Sequence, residues 1–208
     1  YNDKHLKFEQ IHGKELSYNN YNDIFASLEI LNSLKKNSGT VIIKHANPCG
    51  VSENKVPLVS FKNAYASDPI SAFGGVIACN YKINKKIALE INKNFLEVIL
   101  ANRFDKDALS ILKKKKNLRI IDISNFNLKN LSSIKTFDGS FLVQSKDNIV
   151  IDKKKLKCVT KLEPTKKELA EIEFAFNICK YVKSNAIVLC NNFSTIGIGA
   201  GQPSRLDS

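Results

Sequence analysis

The sequence predicts an α/β protein in which helices cover a sheet, and two observations support this class. Several stretches carry apolar residues at helical spacing, and they alternate with short runs of β-branched and other apolar residues. The chain has 208 residues, of which 43% are hydrophobic, so it is long enough to bury a core. It contains no Met, so we expect a processed, trimmed or partial chain. No internal repeat or linker is visible, so we expect one incomplete domain.

The first predicted elements are a helix and the strand that follows it. Residues 22–36 carry one apolar stripe at intervals of three or four, with Asn22 as the expected cap. The β-branched run at residues 40–43 predicts a buried strand. Lys44 and His45 are therefore expected at the carboxyl end of this strand.

The alternation of helix and strand continues to residue 123. Helices are predicted at 58–66, 85–94 and 106–113, and strands at 73–79, 96–101 and 118–123. Beyond this the pattern weakens, with one strand predicted at 141–144. A long helix opens at Pro164 and Thr165 and extends to Val182. Two apolar runs, at 186–190 and 196–198, then predict a hairpin.

Composition limits the partners and the location. The formal charge of +12 favours an anionic partner. However, the Lys blocks at 113–116 and 153–155 have no interleaved aromatic or Arg residues, so we interpret them as solvated surface and expect no nucleic acid. No run approaches the roughly 20 apolar residues of a membrane helix, and no secretory signal is visible, which predicts a cytoplasmic protein without a membrane partner. The five cysteines form no Cys-x-x-Cys pair, so no metal site is expected.

The densest candidate site is the segment 44–50, which reads Lys-His-Ala-Asn-Pro-Cys-Gly. Ligands of open α/β sheets lie outside the carboxyl ends of strands, where Lys44 and His45 are expected. An imidazole can accept a proton near neutral pH, and a neighbouring ammonium can stabilise an oxyanion. Pro48 and Gly50 predict a tight turn. A surface turn with a structural histidine is an equally good interpretation of this spacing alone.

Three other segments carry weaker signals. The paired glycines of residues 71–75 permit close approach of a ligand, although a bulge or tight packing explains them equally well. Residues 183–185 read Lys-Ser-Asn at the entry to the predicted hairpin. The glycines of residues 197–205 lack the spacing of dinucleotide and P-loop motifs, so neither site is expected.

Four of these segments, at 44–50, 67–75, 183–186 and 199–205, resemble in order and spacing the AICAR transformylase domain of the PurH family. Residues 13–20 also resemble it, so the likeness runs nearly end to end. It implies a cytidine-deaminase-like layered fold without the catalytic zinc, and Asn47 stands where a zinc deaminase has Glu. It also implies that residues 1–208 are the N-terminal portion of that domain, with its second half and the IMP cyclohydrolase domain outside the chain.

The resemblance implies formyl transfer from 10-formyltetrahydrofolate, a co-substrate, to the 5-amino group of AICAR, giving FAICAR in IMP synthesis without a metal. His45 matches the family's proton acceptor, and Lys44 matches the lysine that stabilises the oxyanion. Four further positions match AICAR contacts of the family: Gly74, Asn185, Arg205 and Glu97. Asn47 and Asp68 belong to the matching motifs, and we infer that they position the site. Leu206 matches a folate contact. Relatives have Asp where this chain has Glu97.

The resemblance further implies a homodimer with shared active sites, and we expect this chain to be inactive by itself. A basic nucleic-acid-binding protein is the alternative function, motivated by the charge of +12. A zinc deaminase of the same broad fold is a third interpretation, which the missing ligands disfavour. Formate with ATP would be another formyl source, but no ATP motif supports it.

Overall fold

The computed structural model of the chain describes residues 8–126, 133–147, 149, 151 and 155–208. Within these residues five helices accompany an eight-stranded sheet and a separate two-stranded hairpin. The predicted α/β class is therefore confirmed. The finer expectation of a deaminase-like arrangement in an incomplete domain stays a prediction.

The helices are α1 (Tyr18–Ser33), α2 (Pro57–Ser67), α3 (Lys85–Asn92), α4 (Lys106–Leu112) and α5 (Lys166–Cys179). The strands of the large sheet are β1 (Glu9–His12), β2 (Gly39–Lys44), β3 (Asn47–Glu53), β4 (Gly75–Cys79), β5 (Leu96–Ala101), β6 (Arg119–Asp122), β9 (Ile187–Asn191) and β10 (Ser194–Gly199). The separate hairpin consists of β7 (Ser133–Phe137) and β8 (Ser140–Gln144). Along the large sheet the strand order is β1-β6-β5-β4-β2-β3-β10-β9.

Strand direction determines which chain segments meet at each edge of the sheet. Strands β4, β5 and β6 run parallel to one another. Strand β2 runs antiparallel to both of its neighbours, β3 and β4. The carboxyl end of β2 therefore lies beside the amino ends of β4 and β5.

Two apolar clusters cover the two faces of the sheet. On one face, Ile77 and Ile99 pack with Ile87 of α3, and all three are at most 1% exposed. On the other face, Ile24 and Leu28 of α1 pack against alternate residues of the same strands. Because the central strands are buried on both faces, they read in sequence as continuous apolar runs, which made them recognisable.

Helix α1 begins earlier than predicted. Its cap is Ser17, whose hydroxyl accepts from the amide of Asn20, and the Asn20 side chain accepts in return from the Ser17 amide. The expected cap, Asn22, lies inside the helix. The apolar stripe is visible in sequence only from Ile24 onward, because the first helical residues are polar or exposed.

The predicted tight turn at residues 48–50 is wrong, because these residues lie inside β3. Pairing shifts register there: Ile42 pairs with Gly50 and Ile43 with Pro48, so Cys49 is the extra residue of a bulge. A bulge is one of the few places where a strand accepts Pro. Strands β1 and β7 also lacked a recognisable pattern, whereas the remaining predicted elements are confirmed within a few residues.

No helix in the described part of the chain combines the length and the apolar character needed to cross a membrane. The predicted Lys block at 113–116 follows α4, with three of its side chains exposed. The fourth, Lys115, donates hydrogen bonds of 2.7 Å to the carbonyls of Asn92 and Asn94 and so closes the end of α3. Residues 153 and 154 of the second block lie outside the described residues.

Candidate functional site

Lys44 is the last residue of β2, and its side chain lies against the segment that enters β4. The Lys44 Nζ donates a hydrogen bond of 2.7 Å to the carbonyl of Phe73. Gly74 has a φ of +68°, and a Cβ at this position would lie 3.0 Å from Lys44 Nζ and 3.4 Å from the Phe95 ring. Glycine at position 74 therefore supplies both the left-handed backbone and the space beside the ammonium.

His45 and Ala46 form the two-residue turn that joins β2 to β3. Lys44 pairs with Asn47 across the turn, and the φ angles of His45 and Ala46 are 53° and 58°. Positive φ at both central residues is typical of the hairpin turn that matches strand twist. The turn leaves His45 exposed at the carboxyl end of β2, next to Lys44.

Asn47 connects this turn to the segment before β9. Its Oδ1 accepts from the amide of Lys183 at 3.5 Å. The Lys183 carbonyl accepts in turn from the Gly201 amide at 2.7 Å. The structure thus brings together three segments that are far apart in the sequence.

Asn185 ties the same segment to the chain beyond β10. The Asn185 Nδ2 donates to the carbonyls of Gln202 and Pro203, both at 3.1 Å. Both Nδ2 hydrogens are thereby used, which leaves Oδ1 as the side-chain atom that can accept a hydrogen bond from a ligand.

Asp68 organises the turn that leads into Gly74. Its Oδ1 accepts from the Ser71 amide at 2.9 Å, and its carbonyl accepts from the Ala72 amide at 3.1 Å. The Phe73 ring, exposed here, lies against the Phe95 ring with centroids 4.9 Å apart. Asp68 therefore shapes the backbone that receives the Lys44 ammonium.

Glu97 lies near the amino end of β5, at a bulge. Gly75 pairs with Leu96 and Val76 with Val98, so Glu97 is the extra residue. The Glu97 Oε2 accepts from Asn20 Nδ2 at 3.0 Å and lies 3.8 Å from an Arg119 nitrogen. With 43% of the side chain exposed, the carboxylate is oriented by these partners and still accessible.

Arg205 and Leu206 are exposed, Leu206 almost fully at 98%. In the described part of the chain, the contacts that join the other segments do not include these two side chains. The backbone beyond them folds back, since the Ser208 hydroxyl donates to the Asn185 carbonyl at 3.0 Å. Arg205 and Leu206 thus lie between Pro203 and Ser208, both of which contact Asn185.

Cys49, within the densest motif, is a buried thiol. Burial raises its pKa to about 12, with a further contribution from the charge of Asp68, while Lys44 acts in the opposite direction. The thiol is therefore protonated at neutral pH. Among the residues that the structure describes, no three His, Cys, Asp or Glu side chains lie together as a metal-binding group.

Two residues that support the candidate site were not identified from the sequence patterns. Asn20 is 4% exposed and holds Glu97, and Asp23 accepts a hydrogen bond of 2.7 Å from the Ala46 amide. Asn20 ends the segment 13–20 that resembled the family, which was a usable signal. Asp23 stands in an ordinary helical pattern and had none.

The family model described as AICARFT/IMPCHase bienzyme matches residues 1–208. Among curated relatives, the bifunctional purine biosynthesis protein PurH of Thermoanaerobacter sp. (strain X514) is 46% identical over 198 residues, which cover 95% of this chain and 39% of the relative. PurH of Parvibaculum lavamentivorans is 46% identical over 204 residues, or 96% of this chain and 38% of the relative. PurH of Leptospira biflexa (strain Patoc 1 / Ames) is 45% identical, over 97% and 39% respectively.

The chain therefore spans about 39% of the length of the curated relatives that it matches. The match over residues 1–208 confirms the resemblance drawn from the ordered segments. This chain belongs to the AICARFT/IMPCHase bienzyme family.

Proposed function

We propose that this chain is part of an enzyme that transfers the formyl group of 10-formyltetrahydrofolate to the 5-amino group of AICAR, giving FAICAR in IMP synthesis. The observation that carries the proposal is the meeting of the separate segments. Lys44 contacts the Phe73 carbonyl, and Asn47 contacts the Lys183 amide. These contacts join the segments around Phe73 and Lys183 to the end of β2, where Lys44, His45 and Asn47 supply an ammonium, an imidazole and an amide.

His45 serves as the base in this proposal. The AICAR amine is a weak nucleophile, because its lone pair is drawn into the imidazole ring and the carboxamide. As its nitrogen bonds to the formyl carbon, the amine gives a proton to the His45 imidazole, and the carbon–nitrogen bond to the folate then breaks as the folate nitrogen gains a proton. The exposed turn position of His45 gives a substrate access to the ring.

Lys44 stabilises the oxyanion of the tetrahedral intermediate. An ammonium has three N–H donors, and the Phe73 carbonyl uses one of them. The remaining donors are available to the formyl oxygen as it gains negative charge. Gly74 keeps the adjacent space free of a side chain.

The other matched residues contact the substrates. Asn185 offers its Oδ1 to an N–H of AICAR, since both Nδ2 hydrogens are already used. Glu97 is oriented through one carboxylate oxygen, and its other oxygen accepts from the nucleotide. Arg205 contacts AICAR through its guanidinium, and Leu206 contacts the folate. Asn47 and Asp68 position the segments around them.

The active unit in this proposal is a homodimer with shared active sites in the cytoplasm, and formyl transfer needs no metal. The alternative is a basic nucleic-acid-binding protein, which the charge of +12 motivates. Its affinity for nucleic acid would fall steeply with salt, because phosphate contacts release counterions. Formyl transfer is favoured by the match to the family along the whole chain.

The test measures formyl transfer from 10-formyltetrahydrofolate to AICAR by the full-length protein that contains this chain. His45→Ala is expected to lower kcat by about 10² to 10⁴ with AICAR affinity retained. His12→Ala is the matched control, because His12 lies on the edge strand β1, which β6, β5 and β4 separate from β2. A folded, dimeric wild-type protein without transfer would overturn the proposal.

A further inference from the structure

A carboxylate on α1 supports the turn that carries His45. Asp23 lies in the second turn of this helix, and its Oδ1 accepts a hydrogen bond of 2.7 Å from the Ala46 amide. Ala46 is the second central residue of the β2–β3 turn. The contact therefore joins a helix on one face of the sheet to the backbone directly after His45.

The turn needs such support because of its backbone. The φ angles of His45 and Ala46 are 53° and 58°, a left-handed conformation that a residue with a Cβ disfavours. Two-residue hairpins of this type usually carry Asn or Gly at these positions. Here the pairing of Lys44 with Asn47 closes the base of the turn. The Asp23 carboxylate accepts a hydrogen bond from the amide of its second central residue, Ala46.

Asp23 is held in place by the packing of α1. The neighbouring Ile24 is fully buried, and Leu28 is 3% exposed. One turn toward the start of the helix, Asn20 holds Glu97 through a bond of 3.0 Å. The first two turns of α1 thus reach two candidate site segments, and rigid elements position functional groups better than loops do.

We propose that Asp23 is a positioning residue for His45: its hydrogen bond to Ala46 sets the turn conformation and hence the direction in which the imidazole leaves the sheet. A bond between a charged acceptor and an amide is stronger than a neutral one, which suits a turn with two disfavoured residues. The importance of this direction for catalysis rests on the proposed function of His45. The role of Asp23 in setting the turn conformation is independent of that function.

The first test measures kcat and AICAR affinity of the full-length protein. Asp23→Ala removes the acceptor and is expected to lower kcat about tenfold to hundredfold, because a small misplacement of a base is costly. AICAR affinity changes less than about threefold. Asp23→Asn keeps an acceptor and restores most of the loss. Equal kcat in wild type and Asp23→Ala, or no recovery in Asp23→Asn, would overturn the inference.

The second test needs no activity. Amide hydrogen exchange at Ala46 is expected to be at least about tenfold faster in Asp23→Ala, with melting temperature and exchange in the core strands nearly unchanged. Asp107→Ala is the control, because Asp107 is a largely exposed helix residue on α4. If full-length wild type lacks formyl transfer, the proposed function fails while this measurement still decides the inference. Unchanged exchange at Ala46 would overturn it.

Discussion

The Lys44 ammonium donates a hydrogen bond of 2.7 Å to the main-chain carbonyl of Phe73, 29 residues further along the chain. The contact exists because β2 and β4 are antiparallel, so the end of one strand lies beside the start of the other. A flexible lysine is thereby held in one direction. Since its acceptor is backbone, a change at Phe73 that keeps the turn leaves the contact intact.

Gly74→Ala is expected to disturb Lys44 as well as the backbone. The φ of +68° strains any residue with a Cβ, and the new Cβ would lie 3.0 Å from Lys44 Nζ. We expect a loss of about 1–2 kcal/mol in the free energy of unfolding, together with reduced formyl transfer. Denaturant unfolding and a transfer assay on the full-length protein measure the two effects.

Gly139→Ala is the matched control for this change. Gly139 has a φ of +78°, and a Cβ there would meet no atom within 4 Å. An alanine at position 139 therefore has the same kind of backbone strain as one at position 74, but it makes no contact at the site. Similar transfer activities in the two variants would contradict a role for the space beside Lys44.

Lys44→Met is expected to lower kcat by about 10² to 10³ while the protein stays folded. The variant keeps an unbranched side chain but removes the ammonium that the proposed mechanism assigns to the formyl oxygen. Single-turnover formyl transfer measures the effect. Lys82→Met is the control, since Lys82 is an exposed lysine paired with Asp105 away from the site. A normal rate in Lys44→Met would remove Lys44 from the mechanism.

Asn185→Asp is expected to loosen the loop after β10. It replaces the two N–H donors with a carboxylate that faces the Gln202 and Pro203 carbonyls, each now 3.1 Å away. Leaving these partners unsatisfied costs about 1–3 kcal/mol, and AICAR affinity falls. Denaturant unfolding and titration calorimetry report the two effects. Asn191→Asp makes the same charge change at an exposed position on β9 and should be nearly neutral.

The stability of the fold is expected to fall at alkaline pH. Burial raises the pKa of both Cys49 and Cys79 to about 12, from an ordinary 9.0. Between these values an unfolded thiol ionises while the folded one stays protonated, so rising pH favours unfolding. Denaturant unfolding from pH 7 to 10.5 should show a constant contribution from the two thiols up to about 9, then a decline.

Two cysteine variants isolate this effect from other titrating groups. Cys79→Ala should show a shallower decline above pH 9 than wild type, because one buried thiol is gone. Cys158→Ser, at an exposed position, should show the wild-type slope. Identical slopes in wild type and Cys79→Ala would show that the buried thiol does not contribute.

The sequence by itself determined the elements whose signal is local. Strand β5 has the predicted bounds, because its largely apolar run is buried on both faces and the polar Asn102 follows its last residue. The order of the motifs was enough to identify the family, since several rare segments at the right spacing rarely coincide by chance. The position of Lys44 at the end of β2 also followed from the short β-branched run before it.

Only the tertiary structure decided which residues form the turn between β2 and β3 and which contacts hold that turn. Gly50 resembles a turn residue, but a Cβ there would lie 1.8 Å from the Ala64 carbonyl, so it is the packing of α2 on β3 that requires glycine. The actual turn, at His45 and Ala46, donates a hydrogen bond from the Ala46 amide to Asp23, which is more than 20 residues earlier. Such contacts leave no periodic trace in the sequence, because they join residues whose local patterns are set by separate elements.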